Sequence, residues 1–163
     1  NIETQLVEEN IEVGQGPQNF SIHNDDIYVS RTYYSDDWTM IHHGATKIES
    51  PTLMNEYGTG AVCTGSLVSY NQKVYRSFED RISSLNNETL EINQSDKIGD
   101  FGYEVYHVEV IDNNLWFAIT DYSTFNQVKV LDSNGSEIAS YDVGINPGDF
   151  TVWPKISSGT RAW

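Results

Sequence analysis

Two short stretches set aromatic rings beside carboxylates and amides: Tyr33-Tyr34-Ser35-Asp36-Asp37-Trp38 and Tyr122-Ser123-Thr124-Phe125-Asn126, with Tyr103-Glu104 as a third, smaller group. A flat aromatic face stacks on a sugar ring or a peptide plane. A neighbouring carboxylate or amide then fixes the ligand's orientation through hydrogen bonds. Tyr33, Tyr34, Asp36, Asp37, Trp38, Tyr103, Glu104, Tyr122, Phe125 and Asn126 are therefore the candidate ligand-binding residues, suited to a glycan or a protein partner. The competing interpretation is that these rings only cap the packing of strands.

No catalytic set emerges beside them. The chain contains no G-x-S-x-G, H-E-x-x-H, phosphate-binding loop or C-x-x-C, so no activated nucleophile and no cofactor is expected. A carbohydrate-active hydrolase or lyase remains the alternative, because it needs only two suitably spaced carboxylates, and Asp36, Asp37, Glu79, Asp80 and Glu104 supply candidates. No metal ligand set is assigned. Adjacent residues of a strand face opposite ways, so His42-His43 cannot ligate one ion together. His23 and His107 are expected on two inner strands, where both could approach a central channel with Glu104 or Glu109. Asp132 to Glu137 lacks the twelve-residue span of a calcium loop and reads as a turn. The single Cys63 has no partner for an internal disulfide and reads as a small buried strand residue.

The elements that must position these residues are clearest between Leu115 and Phe150. Leu115 to Thr120 is an apolar run, Gln127 to Asp132 alternates around Val128 and Val130, and Glu137 to Val143 ends before a glycine. Asn134-Gly135 between the last two predicts a two-residue hairpin turn with positive φ angles. An apolar or aromatic residue followed by glycine recurs at Val13-Gly14, Tyr57-Gly58, Ile98-Gly99 and Val143-Gly144, at separations of 44, 41 and 45 residues. A period in the low forties with about four strands per unit is the signature of a β-propeller blade. The closest internal match sets VGQGPQNF from Val13 beside VGINPGDF from Val143. On these V-G-x-x-P-x-x-F junctions the chain resembles the YVTN or surface-layer-like β-propeller repeats, and that resemblance implies blades and a role in binding or assembly.

The fold predicted is all-β, one domain over residues 1–163, a propeller of about four blades with junctions near residues 14, 58, 99 and 144. Asn1 to Val7 and Asn10 to Val13 read as the outer two strands of one blade. Phe150 to Trp153 and Thr160 to Trp163 read as its inner two, so that the ends would close the ring and leave no free sheet edge. Two other arrangements share the pattern: two chains pairing end to end into an eight-bladed ring, and a piece of a larger propeller. Between the ends, strands are expected at Phe20 to His23, Ile27 to Thr32 and Trp38 to His43, after which a long segment containing Pro51 leads through Leu53 and Met54 to Gly58 and leaves the first blade irregular at its outer edge. Further ones are expected at Ser66 to Tyr70, Lys73 to Phe78, Arg81 to Leu85, Leu90 to Ile98 and Val105 to Ile111. In a propeller, the loops between the second and third strands of a blade open on the same face as the loops entering the next blade, which brings the aromatic groups together.

A net charge of −15 excludes a phosphate backbone or an anionic membrane surface as partner, since the nine Lys and Arg are scattered. No apolar run approaches a membrane span. The acidity fits an extracellular, cell-surface or periplasmic protein. Four N-x-S/T sequons, at Asn19, Asn87, Asn93 and Asn134, are what chance gives in a chain rich in Asn, Ser and Thr. The resulting expectation is a non-enzymatic binding or assembly module, with a structural subunit of a larger assembly as a further alternative.

Overall fold

In the computed structural model, which describes residues 3–59 and 65–153, the chain is all-β. Its strands make three antiparallel sheets of four, each a consecutive run of sequence. The first sheet holds β1 (Pro17–His23), β2 (Asp26–Tyr34), β3 (Ile41–Ile48) and β4 (Leu53–Thr59). The second holds β5 (Leu67–Tyr70), β6 (Lys73–Phe78), β7 (Arg81–Leu85) and β8 (Ile92–Ile98). The third holds β9 (Glu104–Ile111), β10 (Asn114–Thr120), β11 (Asn126–Leu131) and β12 (Glu137–Asp142). Spatial order follows chain order in every sheet, so each ladder is a local hairpin. No helix among the described residues is long and apolar enough to cross a membrane.

Each sheet opens with the same device. The turns β1–β2, β5–β6 and β9–β10 are made by Asn24-Asp25, Asn71-Gln72 and Asp112-Asn113, and all six residues have φ between 46° and 68°. Two successive left-handed residues give a hairpin whose twist matches its strands, and Asn and Asp tolerate that region best among residues with a side chain. The turn expected at Asn134-Gly135 is different. Only Gly135 has positive φ there, 78°, and the loop runs from Leu131 to its ladder partner Glu137. Asp132 decides this, because its carboxylate accepts the amide hydrogens of Asn134 and Ser136 and holds the chain in an Asx turn.

Packing follows the residue pattern. The uninterrupted apolar run of β10 is a central strand, with Leu115, Phe117, Ala118 and Ile119 fully buried, whereas β11 buries Val128 and Val130 and leaves Gln127 and Lys129 half-buried. Phe117 and Leu115 of the third sheet pack with Tyr75 and Ile82 of the second. Tyr28 and Ala45 of the first sheet pack with Leu67, Val74 and Leu85 on the other side of the second. Full burial of one such apolar side chain contributes roughly 1.5–3 kcal/mol. The middle sheet is thus covered on both faces.

The first strands of the sheets adjoin: β1 lies against β5, and β5 against β9. Polar side chains stitch them. Asn19 Oδ1 accepts the Leu67 amide at 3.1 Å, and Ser66 Oγ both accepts the Val108 amide and donates to its carbonyl, at 3.2 Å each.

Three expectations change. Trp38 is not in a strand, because β3 begins only at Ile41 and Trp38 belongs to the preceding turn. The N-terminal hairpin is not formed over residues 3–14, and Phe150 to Trp153 form no strand. A strand is stable only beside a ladder partner, and among the described residues neither end has one. The strand expected at Thr160 to Trp163 and the residue Cys63 lie outside the described residues.

Candidate functional site

Hydrogen bonds tie two families of loops together at one end of the sheets. The Thr32 amide, at the end of β2, donates to the carbonyl of Gly16 just before β1, at 2.8 Å. The β6–β7 turn at Glu79-Asp80 accepts the amides of Val105 and Phe101, at 3.0 and 3.2 Å, from the segment entering β9. Asn126, ending the β10–β11 loop, accepts the amides of Val143 and Asn146 from the segment after β12. The candidate residues sit on this end in two groups.

The first group is the β2–β3 loop. Asp37 organises it, accepting the Ser35 hydroxyl at 2.6 Å, the Thr39 hydroxyl at 2.8 Å and the Thr39 amide at 3.2 Å. The Ser35 and then the Thr39 hydrogen bonds hold the Asp37 carboxyl below its ordinary value. The next residue, Trp38, is driven to φ +60°. Its indole is 75% exposed and sits 5.4 Å from the Tyr34 ring, tilted by 30°. Tyr33 points elsewhere, stacked on His42 at 5.5 Å with its hydroxyl on Glu56, while Asp36 is exposed.

The second group is the β10–β11 loop with the segment entering β9. Asp121 plays the part of Asp37, accepting the Ser123 and Phe125 amides at 2.7 and 2.9 Å, and the Phe125 amide is the main cause of its lowered pKa. Tyr122, again the following residue, has φ +60°. Its hydroxyl donates to Glu104 at 2.5 Å and its ring meets Tyr106 edge-on at 6.0 Å. Tyr103 lies on Phe125, centroids 4.1 Å apart and planes 19° from parallel. Phe125 and Asn126 face inward. Phe125 packs against the core, and the buried Asn126 accepts the Thr120 hydroxyl at 2.6 Å, so both support the loop beneath the presented rings.

Four of the five carboxylates suited to hydrolysis have partners of another kind: Asp37 the Ser35–Thr39 turn, Glu79 and Asp80 the Arg81 guanidinium, Glu104 the Tyr122 hydroxyl. His42 and His43 do face apart, His42 onto Tyr33 and the buried His43 toward Arg76 Nη2 at 3.5 Å. His23 is occupied at both ring nitrogens, by Ser69 Oγ at 2.8 Å and Asn24 Nδ2 at 3.1 Å, and does not meet His107.

His107 lies instead in a cleft between β1, the residues entering β5 and the middle of β9, lined by Asn19, Ser66, Glu109 and Asp149 among others. Its Nε2 is 3.0 Å from Glu109 Oε1 and 3.9 Å from Asp149 Oδ1, and Phe150 covers the ring at 5.6 Å. The pair His107 and Glu109 is legible from the i, i+2 spacing on one strand. Asp149, forty residues on, gave no such signal. No protein-family model matches the chain, and no curated protein matches it.

Proposed function

We propose that the chain is a non-enzymatic binding module whose loop end takes a glycan, with Trp38, Tyr34, Tyr103 and Tyr122 as stacking faces and Asp36 and Glu104 as polar partners. The observation that carries it is the pair of exposed aromatic residues held at positive φ, Trp38 and Tyr122, on corresponding loops of two sheets. A bulky residue in the left-handed region costs on the order of 1–3 kcal/mol, and such strain is retained where a side chain must be aimed rather than buried. Glycan is favoured over peptide because the faces are aromatic platforms flanked by hydrogen-bond acceptors, Asp36 beside Trp38 and Glu104 beside Tyr122.

The three sheets are taken as successive blades of a propeller, supported by their equal strand order, the repeated two-residue turns and the adjacency of β1, β5 and β9. A binding face at the loop end of such blades suits an extracellular or surface location. The test is a glycan array probed with the wild-type chain and with the Trp38→Ala/Tyr122→Ala double variant. Retention of defined glycans by the wild type and its loss in the variant is expected. An array without retained glycans, or equal retention by the variant, removes the proposal.

A further inference from the structure

We infer that His107, Glu109 and Asp149 form a binding site for a first-row divalent cation, zinc or manganese, in the cleft between the first strands. One donor atom from each residue lies within 4.8 Å of the others. The proposal is independent of the glycan-binding reading, since none of the three belongs to the aromatic groups.

Ser66, which is almost completely buried, stands beside the other ring nitrogen of the histidine. Its hydroxyl has one hydrogen, which it donates to the Val108 carbonyl, and it accepts the Val108 amide. With that pattern Ser66 can accept from His107 Nδ1, 3.4 Å away, which would favour the tautomer with its hydrogen on Nδ1. In that tautomer Nε2 presents a lone pair toward Glu109 Oε1 and Asp149 Oδ1. A bound cation would take the place of the proton that otherwise joins Nε2 to Glu109 Oε1 at 3.0 Å. A hydrogen bond through Nδ1 that leaves Nε2 for the metal is the usual outer support of a histidine ligand.

Distances agree. Two donors about 2.1 Å from a tetrahedral zinc stand roughly 3.4 Å apart, and the distances from Nε2 to the two carboxylate oxygens are 3.0 and 3.9 Å. A nitrogen with two carboxylates selects zinc or manganese over calcium, which takes an all-oxygen shell. Two carboxylates also match the charge of the ion. Three protein ligands leave a position open to the cleft for water or a ligand oxygen. Glu109 is carried two residues from His107 on the same face of β9, and Asp149 is brought over by the segment after β12.

The test is calorimetric titration of chelator-treated protein with zinc chloride, then manganese chloride. The wild type should bind one equivalent with micromolar affinity. His107→Ala should abolish binding, Asp149→Asn should weaken it at least tenfold, and Ser66→Ala should weaken it about tenfold by freeing the ring. Asp149 is a largely exposed loop residue, so its variant folds and reports on the site even if His107→Ala does not. Absence of saturable binding by both ions would show that a proton alone bridges His107 and Glu109, and would overturn the site. Binding that Asp149→Asn leaves unchanged would overturn it equally.

Discussion

Trp38 and Tyr122 hold the same backbone angle, φ +60°, at corresponding places in the first and third sheets, each directly after an aspartate that accepts the hydrogen bonds of its own loop. The aspartates Asp37 and Asp121 fix the turn, and the turn forces the aromatic residue into the left-handed region.

Trp38→Gly separates presentation from packing. Glycine removes the left-handed strain and the exposed indole has little burial to lose, so stability should stay the same or rise by up to ~1 kcal/mol. Glycan retention should fall. Thermal melts beside the binding assay check this, and a loss of more than ~1 kcal/mol of stability would mean that the ring is a packing element.

Gly16 lies inside the first junction, just before Pro17. It has φ +63°, its carbonyl accepts the Thr32 amide, and a Cβ added to it would lie 2.1 Å from the Thr32 carbonyl oxygen. Gly16→Ala should therefore cost roughly 2–4 kcal/mol, from backbone strain and the clash together. Urea unfolding of the variant measures it.

The core between the second and third sheets gives a third expectation. Phe117 is fully buried and packs with Phe101 at 4.9 Å between ring centroids. Phe117→Ala should cost about 3–5 kcal/mol, whereas Ile138→Ser on the exposed outer strand should stay within about 0.5 kcal/mol. The contrast is read from denaturant midpoints.

Acid should lower the stability of the protein. Hydrogen bonds from Ser35 to Asp37, from Lys73 to Asp96, from the Phe125 amide to Asp121 and from the Ser136 amide to Asp132 hold all four carboxyls below their ordinary values. A carboxyl whose folded pKa is depressed contributes stability that is present above its unfolded value, about 3.9, and lost as the pH falls through the folded value. The melting temperature should thus fall below about pH 4. Asp132→Asn, which keeps the acceptor without the charge, should flatten that fall. An unchanged pH profile in the variant would remove Asp132 from the account.

The sheets were legible because their ladders are local. A turn pair such as Asn71-Gln72 between two β-rich runs specifies both strands it joins, and the same holds at Asn24-Asp25 and Asp112-Asn113. The chain ends were not legible, since Asn1 to Val13 shows strand-like alternation but strand formation depends on a distant partner. At the turns, one side chain overruled the pattern. Asp132 replaced the two-residue turn at Asn134-Gly135 by a longer loop, and Asp37 drew Trp38 out of the strand expected to begin with it. The aromatic groups could be read from composition, but the inward role of Asn126 depends on Thr120 and Asn146, and that of Phe125 on the core it packs against, all brought together by the fold.

The central claim, that the loop end binds a glycan through Trp38, is tested most directly by the indole NH resonances of ¹⁵N-labelled protein during titration with the best-retained oligosaccharide. The chain has four tryptophans, so the Trp38 signal is assigned by its absence in Trp38→Ala. The Trp38 indole should shift and saturate, together with backbone amides of residues 35–40 and 121–125. Saturable binding that leaves the Trp38 signal and both loops in place, or no binding, would contradict the claim.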